Sequence, residues 1–251
     1  MHRRETGAKQ GFQDCATCPI RTVAALCSGG DSSLAAFIRE RSQHWYRARQ
    51  VLYQENSPAL GMYGVCSGRI KVGRTEGRGR EQVLRIVDAG GILGEECLLE
   101  DSRFVGTAQA LEDSQIVFVG RRDVFQLLRA RDGMAEKFVL HLCDVLHATQ
   151  KGLARVTLTD ARSRLAGLLL DLGRRYGESD GKGVRFSLNL SRGELGAMVG
   201  LTPETTMRLL SEFRTKGILR ADGRALTLLH PDQLESLSGS EPPASRPQLG
   251  H

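Results

Sequence analysis

The chain has no apolar run near the ~20 residues that a helix needs to cross a bilayer. Its opening stretch, Met1 to Gln10, is polar and charged, unlike a secretory leader. A cytoplasmic location without a membrane partner is therefore expected. Also missing are a nucleophile elbow, a phosphate loop and a His-Glu-x-x-His pair, so the histidines His44, His141 and His147 have no partner motif that would make them catalytic. His141 and His147 fall on different faces of one expected helix, which argues against a joint site. No enzyme is expected. Charge of one sign is in only modest excess: 35 Lys and Arg against 29 Asp and Glu give a formal net charge of +6. That surplus favours polyanionic partners without naming one. With 40% hydrophobic and 25% charged residues, the chain has the material for a folded core and is too apolar for disorder. Its 251 residues suffice for two modest domains.

From Tyr46 to Val119 short β-type runs alternate with turn signals. Met62 to Val65, Arg69 to Val72, Gln82 to Val87 and Ile116 to Val119 read as strands, separated by Glu76-Gly77, Asp88-Ala89-Gly90-Gly91 and Glu100-Asp101-Ser102. Short strands at this spacing suggest a small antiparallel roll or barrel. A short helical segment follows at Arg121 to Arg129. After Gly133 a longer helix runs to about Thr157, with Phe138, Leu142, Val145, Thr149, Gly152 and Val156 recurring at the steps of a two-stranded seam. Dimerisation is expected there, against the alternative of a helix packed on its own domain. A third helix spans Asp160 to Tyr176, the Gly-rich run from Gly177 to Gly183 is a loop, and Val184 to Leu190 reads as a strand. Beyond Ser238 a disordered tail is expected.

The strongest local signal lies between Leu190 and Leu229. Ser191 with Glu194 three residues on opens a capping box, and Leu195, Met198 and Val199 give that short helix an apolar face. Gly200 stops it. Thr202 caps a second helix whose first residue is Pro203, where a missing amide proton costs nothing. That helix reaches about Lys216 and ends at Gly217. Two short helices across a Gly turn make a helix-turn-helix. Along the second, Leu209, Leu210 and Phe213 can face the core, leaving Pro203, Glu204, Met207, Arg208 and Ser211 outside. Glu can accept from cytosine's amino group, and Arg can donate to guanine or a phosphate. Ile218 to Arg220 and Ala225 to Leu229, turning at Asp222-Gly223, read as a wing that brings Arg220 or Arg224 to the backbone. The candidate DNA-contacting set is Ser191, Arg192, Thr202, Pro203, Glu204, Thr205, Met207, Arg208 and Arg224. The competing view of Glu204 and Arg208 is an exposed i,i+4 ion pair. A protein-interaction module that uses the winged helix without DNA is the alternative of another class. Steep salt dependence of DNA binding would separate the two.

The run Leu190-Ser-Arg-Gly-Glu-Leu-Gly-Ala-Met-Val-Gly-Leu-Thr-Pro-Glu-Thr-Thr-Met-Arg-Leu-Leu210 resembles the DNA-binding signature of the superfamily of the cyclic-AMP receptor protein and the fumarate-nitrate reduction regulator (CRP/FNR). The resemblance extends from Trp45 to Leu237. It implies an α+β chain with a cyclic-nucleotide-binding-like β-roll, a long central dimerisation helix and a C-terminal winged helix-turn-helix. The corresponding divisions are a sensory segment at 1–30, the β-roll at 31–130, the dimer helix at 131–158, the DNA-binding domain at 159–238 and a tail at 239–251. It further implies a homodimer on a near-palindromic double-stranded operator, activating or repressing transcription with RNA polymerase as partner. The family's base-reading Glu and Arg fall on Glu204 and Arg208, while Pro203 and Met207 depart from its prototypes.

The same resemblance bears on the sensor. Cyclic-nucleotide-binding members hold ribose and phosphate with a Gly-Glu pair and a later Arg-Ser pair. Gly94-Glu95 is present here, but Phe104 and Val105 stand where Arg and Ser belong, unless Arg103 serves one residue away. A buried phosphate without its cation is costly, which disfavours a cyclic nucleotide. The N-terminal Cys15-Ala-Thr-Cys18-Pro-Ile-Arg21, with Cys27 beyond it, can converge on a metal centre. In a reducing cytoplasm such a cluster is a metal or redox site before it is a disulfide. It resembles the FNR-like branch, which implies a [4Fe-4S] cluster that senses oxygen and controls dimerisation. That branch's fourth cysteine is absent near Val117, so Cys97 is the expected substitute, with Cys66 the alternative. Haem on one histidine, or another gas or small-molecule signal, is the alternative sensor.

Overall fold

The computed structural model describes residues 43–77, 80–130, 133–179 and 181–239. The chain divides into two compact units, one formed up to Val72 together with Ile86–Leu142, the other by Gly73–Arg85 with Cys143 onward.

Eight strands build the N-terminal β-roll: β1 Gln43–Tyr46, β2 Val51–Tyr53, β3 Gly61–Ser67, β4 Arg69–Glu76, β5 Arg80–Asp88, β6 Ile92–Leu93, β7 Thr107–Ala110 and β8 Ser114–Gly120. They form two four-stranded sheets, ordered β1-β8-β3-β6 and β2-β7-β4-β5. The longest pairing is antiparallel β3 with β8, from Gly61 opposite Gly120 to Ser67 opposite Gln115, with a register shift between Val65 and Ser67. β-branched and apolar side chains fill the interior: Met62, Ile70, Ile92, Leu93, Ile116, Val117 and Val119 are buried. Burial of this apolar surface is what holds the roll, since each strand alone is far too short to persist in water. Helix α1, Arg121–Ala130, closes it through Val124 and Leu127.

Helix α2, Met134–Leu158, continues from the roll. Here the structure corrects one expectation. Phe138 does not lie on an exposed seam; with Met134 it is buried in the roll's core, only 7% exposed. Val145 is half-buried. The solvent-facing apolar stripe lies one position round the helix, at Val139, Leu142, Leu146, Leu153 and Val156, with Thr149 completing the alternating steps of three and four. Leu142, Thr149 and Val156 belong to both readings. Two parallel apolar stripes share this helix, and periodicity alone does not say which one the chain's own domain covers.

Four helices and a sheet make the C-terminal part: α3 Ala161–Tyr176, α4 Arg192–Ala197, α5 Pro203–Thr215 and α6 Pro231–Ser238, with β9 Glu178–Ser179, β10 Val184–Ser187, β11 Leu219–Asp222 and β12 Ala225–Leu228 in the sheet order β11-β12-β10-β9. Asp160 caps α3 by accepting from the Ser163 amide at 2.8 Å. Its carboxyl is held below the ordinary carboxylate range chiefly by that backbone hydrogen bond. Leu165, Leu168, Leu169 and Leu172 on α3 are buried, as are Leu209, Phe213, Leu228 and Leu234 of the elements that follow. The strand expected at Val184 to Leu190 is shorter, β10 Val184–Ser187. Helix α6 was not expected from the sequence, and the expected tail lies outside the described residues from 240 on.

Candidate nucleic-acid interface

The site is assembled from backbone capping first. Ser191 Oγ accepts from the Glu194 amide at 3.1 Å while the Ser191 amide donates to Glu194 Oε2 at 2.7 Å, a complete capping box that starts α4. Gly200, at φ +66°, breaks the chain direction with a left-handed residue that a side chain would strain. Thr202 Oγ1 then accepts from the Thr205 amide at 3.3 Å, and Pro203 occupies the first turn of α5. The two helices approach closely because a Cβ at Gly196 would collide with the Thr206 side chain. Thr206 is itself buried, its hydroxyl donating to the Thr202 carbonyl at 2.8 Å. Leu195, Val199, Leu201, Leu209, Leu210 and Phe213 fill the joint.

This packing leaves one stripe of α5 outside: Pro203, Glu204, Met207, Arg208 and Ser211 are exposed. The Glu204 carboxyl is held below the usual range by its own backbone amide first and by the Thr202 hydroxyl second. It therefore presents an anion at the N-terminal end of the helix. Among the described residues no ion pair joins it to Arg208. Thr205 is half-buried beside the cap.

The wing is the antiparallel hairpin of β11, Leu219–Asp222, and β12, Ala225–Leu228, turning through Gly223 and Arg224. Two predicted DNA contacts prove to have partners inside the fold. The Arg192 guanidinium donates to the Gly223 carbonyl at 2.8 Å and reaches Ala225 O at 3.5 Å, and burial pulls its pKa down. It fixes the wing turn against the start of α4. Arg224 is hydrogen bonded to Asn189 Oδ1. Ser191 and Thr202 likewise have their hydroxyls engaged as caps. Sequence reasoning missed Asn189 and the anchoring role of Arg192, because both depend on strands folding back across some 30 residues.

In the β-roll the residues around Gly94 are also occupied. Glu95 Oε1 lies 2.9 Å from His141 Nε2 on α2. Glu96 Oε1 takes the Val105 amide at 3.4 Å, and its Oε2 is buried without a partner. Phe104 stacks on Tyr53 with ring centroids 3.7 Å apart. Arg103 donates to the Asn56 carbonyl at 2.6 Å. Arg103 is thus engaged with a backbone carbonyl, and the side chains beside Gly94 are carboxylates and an aromatic ring.

The metal expectation is corrected at Cys97. It is fully buried in the single 3₁₀ turn Glu95–Leu98, packed with the roll's apolar core. Burial pushes its thiol up to about 11, despite Arg121 nearby. Cys66 is half-buried and packs against the same core. Among the described residues no group of three His, Cys, Asp or Glu side chains could hold a metal ion. Cys15, Cys18 and Cys27 lie outside the described residues. No helix of the described residues is long and apolar enough to cross a membrane.

Two family descriptions match: the cyclic nucleotide-binding domain over residues 43–131 and the Crp-like helix-turn-helix domain over 163–237. The transcriptional regulatory protein btr of Bordetella pertussis is 30% identical over 192 residues, 76% of this chain and 79% of that protein. A CRP-like cAMP-activated global transcriptional regulator of Mycobacterium tuberculosis is 25% identical over 203 residues, 81% of this chain and 91% of its own. The solved structure of FixK2 from Bradyrhizobium japonicum superposes with a TM-score of 0.69 at 26% identity, covering 80% of this chain and 99% of that one. With a β-roll, a long helix and a winged helix-turn-helix matched along most of its length, the chain belongs to the CRP/FNR superfamily, DNA-binding transcription regulators rather than enzymes.

Proposed function

We propose that this regulator acts in the cytoplasm as a homodimer, placing α5 of each copy in the major groove of a near-palindromic operator. Glu204 and Arg208 read base edges there. The observation that carries this is the exposed stripe Glu204, Arg208 and Ser211 on a helix whose opposite face is core and whose start is capped by Thr202. An anionic acceptor near the N-terminus and a guanidinium one turn later suit cytosine and guanine on neighbouring base pairs. Arg192 and Arg224 act mainly by holding the wing; Arg220 is exposed and suits a phosphate. The copies pair along Val139, Leu142, Leu146, Thr149, Leu153 and Val156, because an apolar stripe at coiled-coil spacing is stable only when covered. The transcriptional output passes through RNA polymerase.

The signal enters at the N-terminal segment and not through a cyclic nucleotide. Glu95 is taken by His141, Glu96 lies against the Val105 amide, and Phe104 stands against Tyr53. Cys15, Cys18 and Cys27 are the ligands of an iron-sulfur centre. Cys97, enclosed in the roll's core, is a poor fourth partner, which leaves the half-buried Cys66 as the alternative where a [4Fe-4S] centre takes four ligands. Such a centre, when bound, supplies oxygen sensitivity.

Selection of duplexes from a randomised pool, followed by fluorescence anisotropy at fixed salt, tests the DNA reading. Wild type enriches a two-fold symmetric site. Glu204→Ala and Arg208→Ala each lose about tenfold or more in affinity and relax preference at one base pair per half-site. Unchanged selection by both variants would refute base reading by α5.

A further inference from the structure

From Ala161 onward, among the described residues, Met207 is the one large apolar side chain left exposed, at 55%. Its helix has no lack of core to join: Leu209, Leu210 and Phe213 are all buried, and Thr206 beside it is fully enclosed. Met207 instead shares the outer stripe with Glu204, Arg208 and Ser211. At 100° per residue it stands about 60° around the axis from Glu204 and about 100° from Arg208. An apolar side chain on the flank of a groove-facing stripe gains only if it meets apolar surface there. The major groove offers one such feature, the C5-methyl group of thymine.

We infer that Met207 is a specificity-determining residue that packs its thioether on a thymine methyl, in or next to the base pairs contacted by Glu204 and Arg208. This deepens the DNA reading above and rests on it. Methionine suits the role because its unbranched, polarisable side chain adjusts to a methyl whose position varies with local groove geometry. The neighbouring side chains do not compete for it. The Thr202 hydroxyl caps the helix, and the Thr205 hydroxyl accepts from Thr202 Oγ1 at 3.1 Å. Pro203 packs near Gly193, where a Cβ would lie 3.5 Å from its ring.

The test uses the full chain and the duplex that wild type selects, with each thymine replaced in turn by uracil, which removes the methyl and leaves the pairing edge intact. One symmetry-related pair of replacements is expected to weaken wild-type binding about fourfold per half-site, the size of one buried methyl group. Met207→Ala and Met207→Gln should bind the thymine and uracil duplexes equally, with an unchanged melting temperature as the check on folding. Indifference of wild type to every uracil replacement overturns the inference, as does an equal loss in Met207→Ala. In either case Glu204→Ala and Arg208→Ala would still alter selection, so the DNA reading stands apart. A wild type that enriches no duplex overturns both.

Discussion

Cys97 sits in the turn Glu95–Leu98 with none of its surface open to solvent, and its carbonyl accepts from Arg121 Nε at 2.8 Å. Desolvation lifts its thiol to about 11, so thiolate is scarce at neutral pH and no reagent reaches it. Cys143, on α2, is exposed. Brief treatment with iodoacetamide at pH 7.5, followed by peptide mapping, should label Cys143 and leave Cys97 unmodified until denaturant is added. Fast native labelling of Cys97 would mean that the turn opens, and would return it to the set of possible metal ligands. The sequence offered Cys97 as a metal ligand and was silent about its burial. The turn itself is local, whereas the core it shares with Met62 and Val119 comes from strands distant in sequence. Arg192 teaches the same lesson in reverse, since a basic residue at a helix start reads as a phosphate contact until the wing turn arrives beside it.

At the scale of elements, caps were legible because they are local chemistry. Ser191 with Glu194, Thr202 with Pro203, and Asp160 before α3 announce helix starts within four residues, and all three form as the side chains demand. The face of α2 was less legible. Both Phe138-Val145-Gly152 and Val139-Leu146-Leu153 satisfy a seven-residue repeat, and only packing of Phe138 into the roll leaves the second stripe outward. Leu146, 57% exposed, stands near the middle of that stripe, so Leu146→Glu should bury an unpaired charge in the dimer. Analytical ultracentrifugation is expected to show monomers for Leu146→Glu and dimers for Lys151→Glu, which lies on the opposite side. Operator affinity of the former should fall by about a hundredfold or more, as the two half-sites lose their shared tether. A dimeric Leu146→Glu would place the pairing surface elsewhere.

For the whole molecule, the β-roll is tied to its long helix by a side-chain contact across 46 residues. The Glu95 to His141 contact joins the turn at the roll's Gly94 to α2, the helix that also carries the outward apolar stripe. Anaerobic reconstitution with iron and sulfide addresses the source of the signal. Wild type and Cys97→Ala should bind iron and gain visible absorbance alike, and Cys18→Ala should remain colourless. A colourless wild type removes the cluster from the account and leaves a regulator with another effector. What the sequence by itself determined is the change from short strands to helices along the chain, the helix-turn-helix and the residues of its outward stripe, because capping, turn chemistry and periodicity act over a few residues. Only the tertiary structure decided which stripe of α2 is outward, that Cys97 is core, that Arg192 and Arg224 hold the wing, and that Glu95 meets His141. Each of these depends on which distant segments exclude water from a given side chain, and that information is not local to any stretch of the chain.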